Sequence, residues 1–316
     1  MSRERLAAGV RAGERRAIGR AISLAERLGP EGRELVAALH PDTGRAWRVG
    51  VAGAPGVGKS TLIGGLAGLL RRAGRSVAVV SVDPTSPFTR GAVLGDRIRL
   101  AEHFLDPGVF IRSMASRGHQ GGLAEATADA VLILDAAGFD VVMVETVGSG
   151  QNEVEVQALA ETVVLALMPG SGDGVQAIKA GLMEIPDVLA VTKADRQGAD
   201  VLVSELASAL TLVPGGPWEP PIVRVSALAG EGLDELWGEV ERHRAFLGEG
   251  DRLAARRRDG LARQLRALAA DRLARRVEAA ADPEFTDGLI DDVLGRRLDP
   301  SGAVDRVLDR AGLGSS

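Results

Sequence analysis

The sequence predicts an α/β fold of three layers, with helices on both faces of a mainly parallel sheet. Three observations carry that expectation. Short apolar runs rich in β-branched residues, such as Ser76-Val77-Ala78-Val79-Val80-Ser81-Val82, read as strands buried on both faces. Such runs alternate with helix-like stretches, the spacing of a parallel sheet with crossover helices. The first run, Val49-Gly50-Val51-Ala52, enters the glycine-rich turn Gly53-Ala54-Pro55-Gly56-Val57-Gly58-Lys59-Ser60-Thr61, and a helix-like segment from Leu62 to Arg72 follows.

That turn carries the full G-x-x-x-x-G-K-S pattern in strand-turn-helix context, the setting a phosphate-binding loop requires. Glycines let backbone N–H groups close around phosphate oxygens without a Cβ clash, and the following helix directs its positive dipole end at the same anion. Lys59 supplies a point charge for the β- and γ-phosphates, and Ser60 a hydroxyl for Mg²⁺. Gly53, Pro55, Gly56, Val57, Gly58, Lys59, Ser60 and Thr61 are therefore the expected phosphate-binding residues.

Composition narrows the classes. A chain of 316 residues that is 45% hydrophobic can bury a sizeable core. The net charge of -5 lacks the global basic excess of a nonspecific nucleic-acid binder. With no cysteine, disulfides, thiolate nucleophiles and cysteine-based metal sites are excluded. No signal-peptide core follows Met1, and no uncharged run reaches the roughly 18 residues that span a bilayer. A cytoplasmic protein without a membrane partner is expected.

Three regions follow from the order of elements. Residues 1–46 show helical spacing at Ile18, Ala21, Ile22 and Ala25, with Gly29-Pro30 as a stop and a second short helix from Glu31 to Leu39. They read as a helical pair packed on the main domain. Residues 47–247 hold the alternating pattern: further strand-like runs at Val109–Ile111, Asp140–Val144, Thr162–Met168, Val188–Val191 and Ile222–Val225, and helix-like stretches at Leu123–Ala137, Val201–Leu212 and Leu233–Phe246. From residue 248 to 316 the texture becomes helical only: an arginine- and alanine-rich helix over Arg252–Val277, then two short helices over Phe285–Leu294 and Ala303–Leu308. This tail either folds back on its own domain or forms an arm that grips a second subunit.

In a parallel α/β sheet, ligands sit beyond the carboxyl ends of the strands. Val191-Thr192-Lys193-Ala194-Asp195 lies at such an end. The Asp195 carboxylate can accept two hydrogen bonds from the N1–H and N2 amine of guanine, while the stem of Lys193 covers the base. Adenine lacks that donor pair and would leave a carboxylate unpaired, so guanine is expected. After the next strand, Ser226-Ala227-Leu228 offers a backbone N–H to the guanine O6. For the magnesium ion, Asp83, Asp96 and Glu145 end or follow apolar segments on the same side as Ser60; Asp83 also suits a plain turn before Pro84.

Several longer motifs carry a resemblance. Asp83-Pro84-Thr85-Ser86-Pro87, Gly91 to Arg99, Ser116 to Gly122, Glu145-Thr146-Val147-Gly148-Ser149-Gly150-Gln151 and Pro169-Gly170-Ser171-Gly172-Asp173 together resemble the MeaB family of GTPases, also known as ArgK. The resemblance implies a P-loop G domain flanked by N-terminal helices and a C-terminal dimerisation arm. It implies a homodimer that binds GTP or GDP with Mg²⁺ and serves an adenosylcobalamin-dependent acyl-CoA mutase such as methylmalonyl-CoA mutase. In such a protein the enzyme gates loading of intact cofactor and helps eject damaged cofactor. It also implies magnesium carboxylates at Asp83, Asp96 and Glu145, and a switch over Asp173–Glu184 in which Gln176 and Lys179 answer to the partner. Read from the residues alone, Lys179 is a solvated helix lysine; swung toward the γ-phosphate it would act as an arginine finger does.

Two departures from the family pattern stand out. Thr192 replaces the usual asparagine, removing one side-chain amide and predicting a looser hold on the nucleotide, while Lys193 and Asp195 keep the discriminating contacts. Lys179 is followed by Ala180, leaving a single cation there. Ser149 stands where a water-orienting glutamine would follow the switch glycine, so hydrolysis with Lys59, Asp96 and Lys179 as catalytic residues is expected to be slow alone and partner-stimulated. The rival class, a nickel-insertion GTPase, would use Cys/His clusters, whereas His40, His103, His119 and His243 are scattered. An older reading of the family, an ATP-dependent kinase of amino-acid transport, conflicts with the guanine motif.

Overall fold

The computed structural model describes residues 2–84, 103, 105–116, 122–145, 156–170, 186–212 and 215–314, excepting the side chains of 83–84, 115–116 and 122–124. The chain divides into two compact units, Met1–Gln264 and Leu265–Ser316.

The first unit opens with α1 (Arg3–Arg11), α2 (Arg15–Ala25) and α3 (Pro30–Leu39). The expected N-terminal pair is thus a trio. The extra helix, α1, is rich in arginine and buries only a short stripe of Leu6, Ala7, Gly9 and Val10, too little to mark a helix by periodicity. Gly29-Pro30 separates two helices as expected, but Pro30 belongs to the second: its fixed φ and missing N–H suit the first turn.

Among the described residues seven strands follow: β1 (Trp47–Ala52), β2 (Val77–Pro84), β3 (Val109–Ser116), β4 (Val141–Glu145), β5 (Thr162–Leu167), β6 (Val188–Thr192) and β7 (Ile222–Val225). They lie in the order β3-β2-β4-β1-β5-β6-β7, and every neighbouring pair is parallel. All carboxyl ends therefore share one edge, with β1 and its glycine-rich turn near the middle. The interleaved helices are α4 (Lys59–Arg72), α5 (Gly122–Ala136), α6 (Ala199–Leu210) and α7 (Leu233–Gly248).

Because successive strand residues face opposite ways, the fully buried runs supply two cores. Ala78, Val80, Val142 and Val144 join α1, α2, α3, α5 and α6 in one. Val77, Val79, Val141 and Met143 join α4 and α7 in the other. The parity matters for the site, since it carries Ser81 and Glu145 to the α4 side.

At the amino ends of the strands, carboxylates meet guanidinium groups. Glu161 accepts from Arg48 through its backbone N–H (2.8 Å) and its guanidinium, and from Arg257 Nε (3.0 Å). Asp187 accepts from the Val163 N–H and from Arg256, both at 2.8 Å. Trp47 Nε1–H donates to Thr162 Oγ1 (3.2 Å), whose hydroxyl lies 2.9 Å from His243 Nδ1. Asp135 accepts from the N–H groups of Gly44, Arg45 and Ala46 and so fixes the approach to β1.

A 29-residue helix, α8 (Arg252–Ala280), runs from the first unit into the second, which also contains α9 (Pro283–Leu294) and α10 (Pro300–Arg310). Asp282 and Asp299 cap α9 and α10 by accepting from Phe285 N and Gly302 N, each followed by proline at the first helical position. Arg310 pairs with Asp282 and lies over the Phe285 ring. Among the described residues, no helix is long and apolar enough to cross a membrane.

Candidate nucleotide-binding site

The loop after β1 follows from two backbone requirements. Gly53 has φ +138°, and a Cβ there would sit 2.2 Å from Ala166 O on the neighbouring strand. Gly58 caps α4 at φ +102°, in the left-handed region. Gly53 leaves no room for a Cβ and Gly58 needs a backbone conformation that side chains disfavour, and together they bend the chain from strand into helix within six residues. Lys59 folds back over this turn and donates to Gly53 O (2.6 Å) and Ala54 O (3.0 Å). Its ammonium group is thereby buried against the loop that the sequence assigns to phosphate.

One residue on, Ser60 Oγ donates to Glu145 Oε1 at 2.6 Å. The contact is set by topology: Glu145 ends β4, next to Val51 on β1 and opposite Ser81 on β2. Ser81 Oγ donates to the other carboxylate oxygen, Oε2, at 3.0 Å. Ser60, Ser81 and Glu145 are all buried. This oxygen-only donor set suits a hard divalent cation, which prefers carboxylate, hydroxyl and water ligands. Asp83 lies at the same edge by backbone position, two residues past Ser81 in β2. Asp96 and Lys179 lie outside the described residues, as do Gln176, Ser149 and Gln151. Among the described residues no group of three or more His, Asp or Glu lies together as candidate metal ligands.

The residues that the sequence analysis expects at the base gather at the ends of β6 and β7. Lys193 adopts φ +51°, which turns its side chain back over the glycine-rich loop. Its Nζ donates to Gly56 O at 2.7 Å and lies 3.2 Å from Met168 Sδ. Asp195 Oδ1 accepts from Ser226 Oγ at 2.7 Å, and that hydroxyl, with Asp195's own backbone N–H, holds the exposed carboxyl below its ordinary range. Ser226 opens a tight turn, bridged to Glu231 by backbone hydrogen bonds of 3.0 and 3.1 Å. Ala227 and Leu228 follow in this turn, and with Thr61 they line a cleft of about 640 Å³ beside α4.

Thr192 does more than its sequence position suggested. Its buried hydroxyl lies 2.6 Å from Val57 O and 2.9 Å from Leu167 O, tying β6 to the phosphate loop and to β5. Ser81 is a site residue that the sequence motifs do not mark. Its signal was a lone hydroxyl in the apolar run Val77–Val82, where a buried polar group requires a partner.

A glycine-rich loop at the centre of an all-parallel sheet, with Ser60 on Glu145 and a Lys-x-Asp turn two strands away, defines a P-loop nucleotide hydrolase of the three-layer α/β class. The profile of the family described as "Methylmalonyl Co-A mutase-associated GTPase MeaB" matches residues 18–282. The chain belongs to this family of GTPases. It is 49% identical over 302 residues to a Pyrococcus horikoshii protein provisionally named a GTPase, covering 94% of this chain and 95% of that one. It is 37% identical over 253 residues to the GTPase ArgK of Escherichia coli, covering 77% and 76%. To the mouse protein named methylmalonic aciduria type A homolog, mitochondrial, it is 33% identical over 276 residues, covering 80% of this chain and 66% of that one. A crystal structure titled as an LAO/AO transport system kinase superposes with a TM-score of 0.72 at 28% identity, covering 97% and 96%.

Proposed function

We propose that the chain hydrolyses Mg²⁺·GTP slowly by itself and faster when docked on an adenosylcobalamin-dependent acyl-CoA mutase, whose cofactor loading it gates and which it protects or reactivates. The observation that carries the nucleotide half is the convergence of Lys59, Ser60–Glu145 and Lys193–Asp195 on one edge of the sheet. The family description and the name of the mouse relative support the mutase half.

In this reading Asp195 accepts from guanine N1–H and N2, Lys193 covers the base, and the 226–228 turn meets O6. The amides of residues 53–61 cradle the phosphates, and Lys59 exchanges its loop carbonyls for β/γ-phosphate oxygens. Water attacks the γ-phosphorus, the bond to the β-phosphate oxygen breaks, and GDP and phosphate leave. Ser60, Glu145, Asp83 and Asp96 would hold the magnesium ion, directly or through its water, and the ion would offset phosphate charge. Lys179 would bring a further positive charge when the partner docks. Residues 248–316 would form the dimer arm of a cytoplasmic homodimer.

The test is GTP turnover by the purified chain with and without candidate mutases, together with capture from source cytosol on a nonhydrolysable GTP analogue. Stimulated turnover and co-capture of a cobalamin mutase are expected. Rapid turnover that no mutase increases would overturn the chaperone reading, and tight stoichiometric nickel binding would favour a metal-insertion role.

A further inference from the structure

The hydroxyl of Ser81 is the one polar side chain in the buried stretch Val77–Val82, and it points at the same carboxylate that receives Ser60. The arrangement is built by register. Ser81 and Glu145 are direct cross-strand partners in the parallel β2–β4 pair, and both fall on the α4 face by the alternation that sends Val77, Val79, Val141 and Met143 there. Glutamate is one methylene longer than aspartate and has one more rotatable bond to order. Ser60 donates to Oε1 and Ser81 to Oε2, so the two hydroxyls together restrain the rotation of the carboxylate plane.

We infer that Ser81 is a positioning residue for the metal and γ-phosphate side of the site: it sets the orientation of the Glu145 carboxylate and so tunes how strongly Mg²⁺ retains the bound nucleotide. The inference rests on the Mg²⁺·GTP reading given above. Groups that orient a metal site from behind typically change metal affinity or activity by about 10–100-fold when removed. A hydroxyl that merely satisfied its own burial would leave the magnesium dependence untouched.

The experiment follows release of a fluorescent GDP analogue from the full-length protein as free Mg²⁺ is varied, with a readout of binding rather than turnover. Three variants are compared with the natural chain: Ser81→Ala, which deletes the hydroxyl; Ser81→Thr, which retains it; and Ser81→Val, the near-isostere of threonine without it. Ser81→Ala and Ser81→Val should need about tenfold more Mg²⁺ for half-maximal retention. Ser81→Thr should titrate close to the natural chain, and GDP affinity in excess EDTA should be the same for all four. Urea midpoints of the nucleotide-free proteins identify any variant that fails to fold, and either hydroxyl-free variant then suffices. An unshifted titration for the folded hydroxyl-free variants, or equal shifts for Ser81→Thr and Ser81→Val, would overturn the role of Ser81 alone. Retention by the natural chain that ignores Mg²⁺ altogether would instead overturn the metal-site reading, and this inference with it.

Discussion

The two ends of the sheet treat carboxylates differently. At the amino end, Glu161 and Asp187 meet the guanidinium groups of Arg48, Arg257 and Arg256. At the carboxyl end, hydroxyl groups meet Glu145 and Asp195: Ser60 and Ser81 on the first, Ser226 on the second. A guanidinium pair neutralises a charge and locks it in place, whereas a hydroxyl orients a carboxylate and keeps its negative charge for something else. The arginine-paired edge suits stability, and the hydroxyl-paired edge suits the ligand role proposed above. The long helix α8 begins at the first edge, where consecutive arginines bind acids that open β5 and β6.

Substitutions at the two ends should separate by readout. The largest effect is expected from Lys59→Ala, which removes the charge proposed to meet the β- and γ-phosphates; single-turnover GTP hydrolysis should fall by about 10²–10³-fold. At the opposite end, Glu161→Ala should lower unfolding free energy by about 2–3 kcal/mol, below the full cost of breaking a buried pair because Arg48 and Arg257 are partly solvated. Guanine-nucleotide affinity, measured in parallel, should be unchanged by it. Asp195→Asn should cost GTP about 10–100-fold in affinity, the worth of its charged hydrogen bonds, and admit xanthosine triphosphate. Indifference of that variant would remove the base assignment.

The smallest effect is in pH dependence, and it sharpens the view of the stabilising end. Burial raises the Asp187 carboxyl from 3.8 to about 6, with Arg256 and the Val163 N–H opposing the shift. Between about pH 4 and 6 the native state holds the extra proton, so this residue's contribution to stability is lost as pH rises through that window. Burial lowers His243 from 6.5 to about 4, helped by Arg256. There the unfolded chain binds the extra proton, and stability rises with pH over nearly the same window. The two slopes oppose each other, so from about pH 5, above the range in which the lowered carboxyls of Asp106, Asp140 and Asp195 titrate, the urea midpoint of the natural chain should vary little up to about pH 6.5. Asp187→Asn should expose a midpoint that rises with pH, and His243→Phe one that falls; parallel, flat profiles in both would contradict the assignment. A neutral His243 also fits its contacts, with Nδ1 accepting from Thr162 and Nε2–H facing Asp187 at 3.4 Å.

The ligand end was more legible in the sequence than the stabilising end. Gly53 and Gly58 announce themselves because only glycine tolerates their geometry, and the β-branched runs mark strands buried on both faces. The turn after β6 was legible for the same reason: a polar Lys-x-Asp directly follows a fully buried strand. Arg256 and Arg257, by contrast, look like any two arginines of an exposed helix. Their acids stand 69 and 96 positions away, and only the fold brings them together. Helix α1 is poorly legible because arginine dilutes its buried stripe. Thr192 read as a loss of an amide, since nothing local shows that its hydroxyl reaches Val57 O. Ser81 depended on register, which sets it opposite Glu145 across 64 residues of chain.

Backbone hydrogen exchange with and without Mg²⁺·GDP tests the division of labour between the two edges most directly. Nucleotide should slow exchange in residues 53–61, 192–196 and 226–231, and leave 44–48, 161–163 and 187–188 as they were. Protection concentrated at the arginine-paired edge, or none in the loop after β1, would contradict the account.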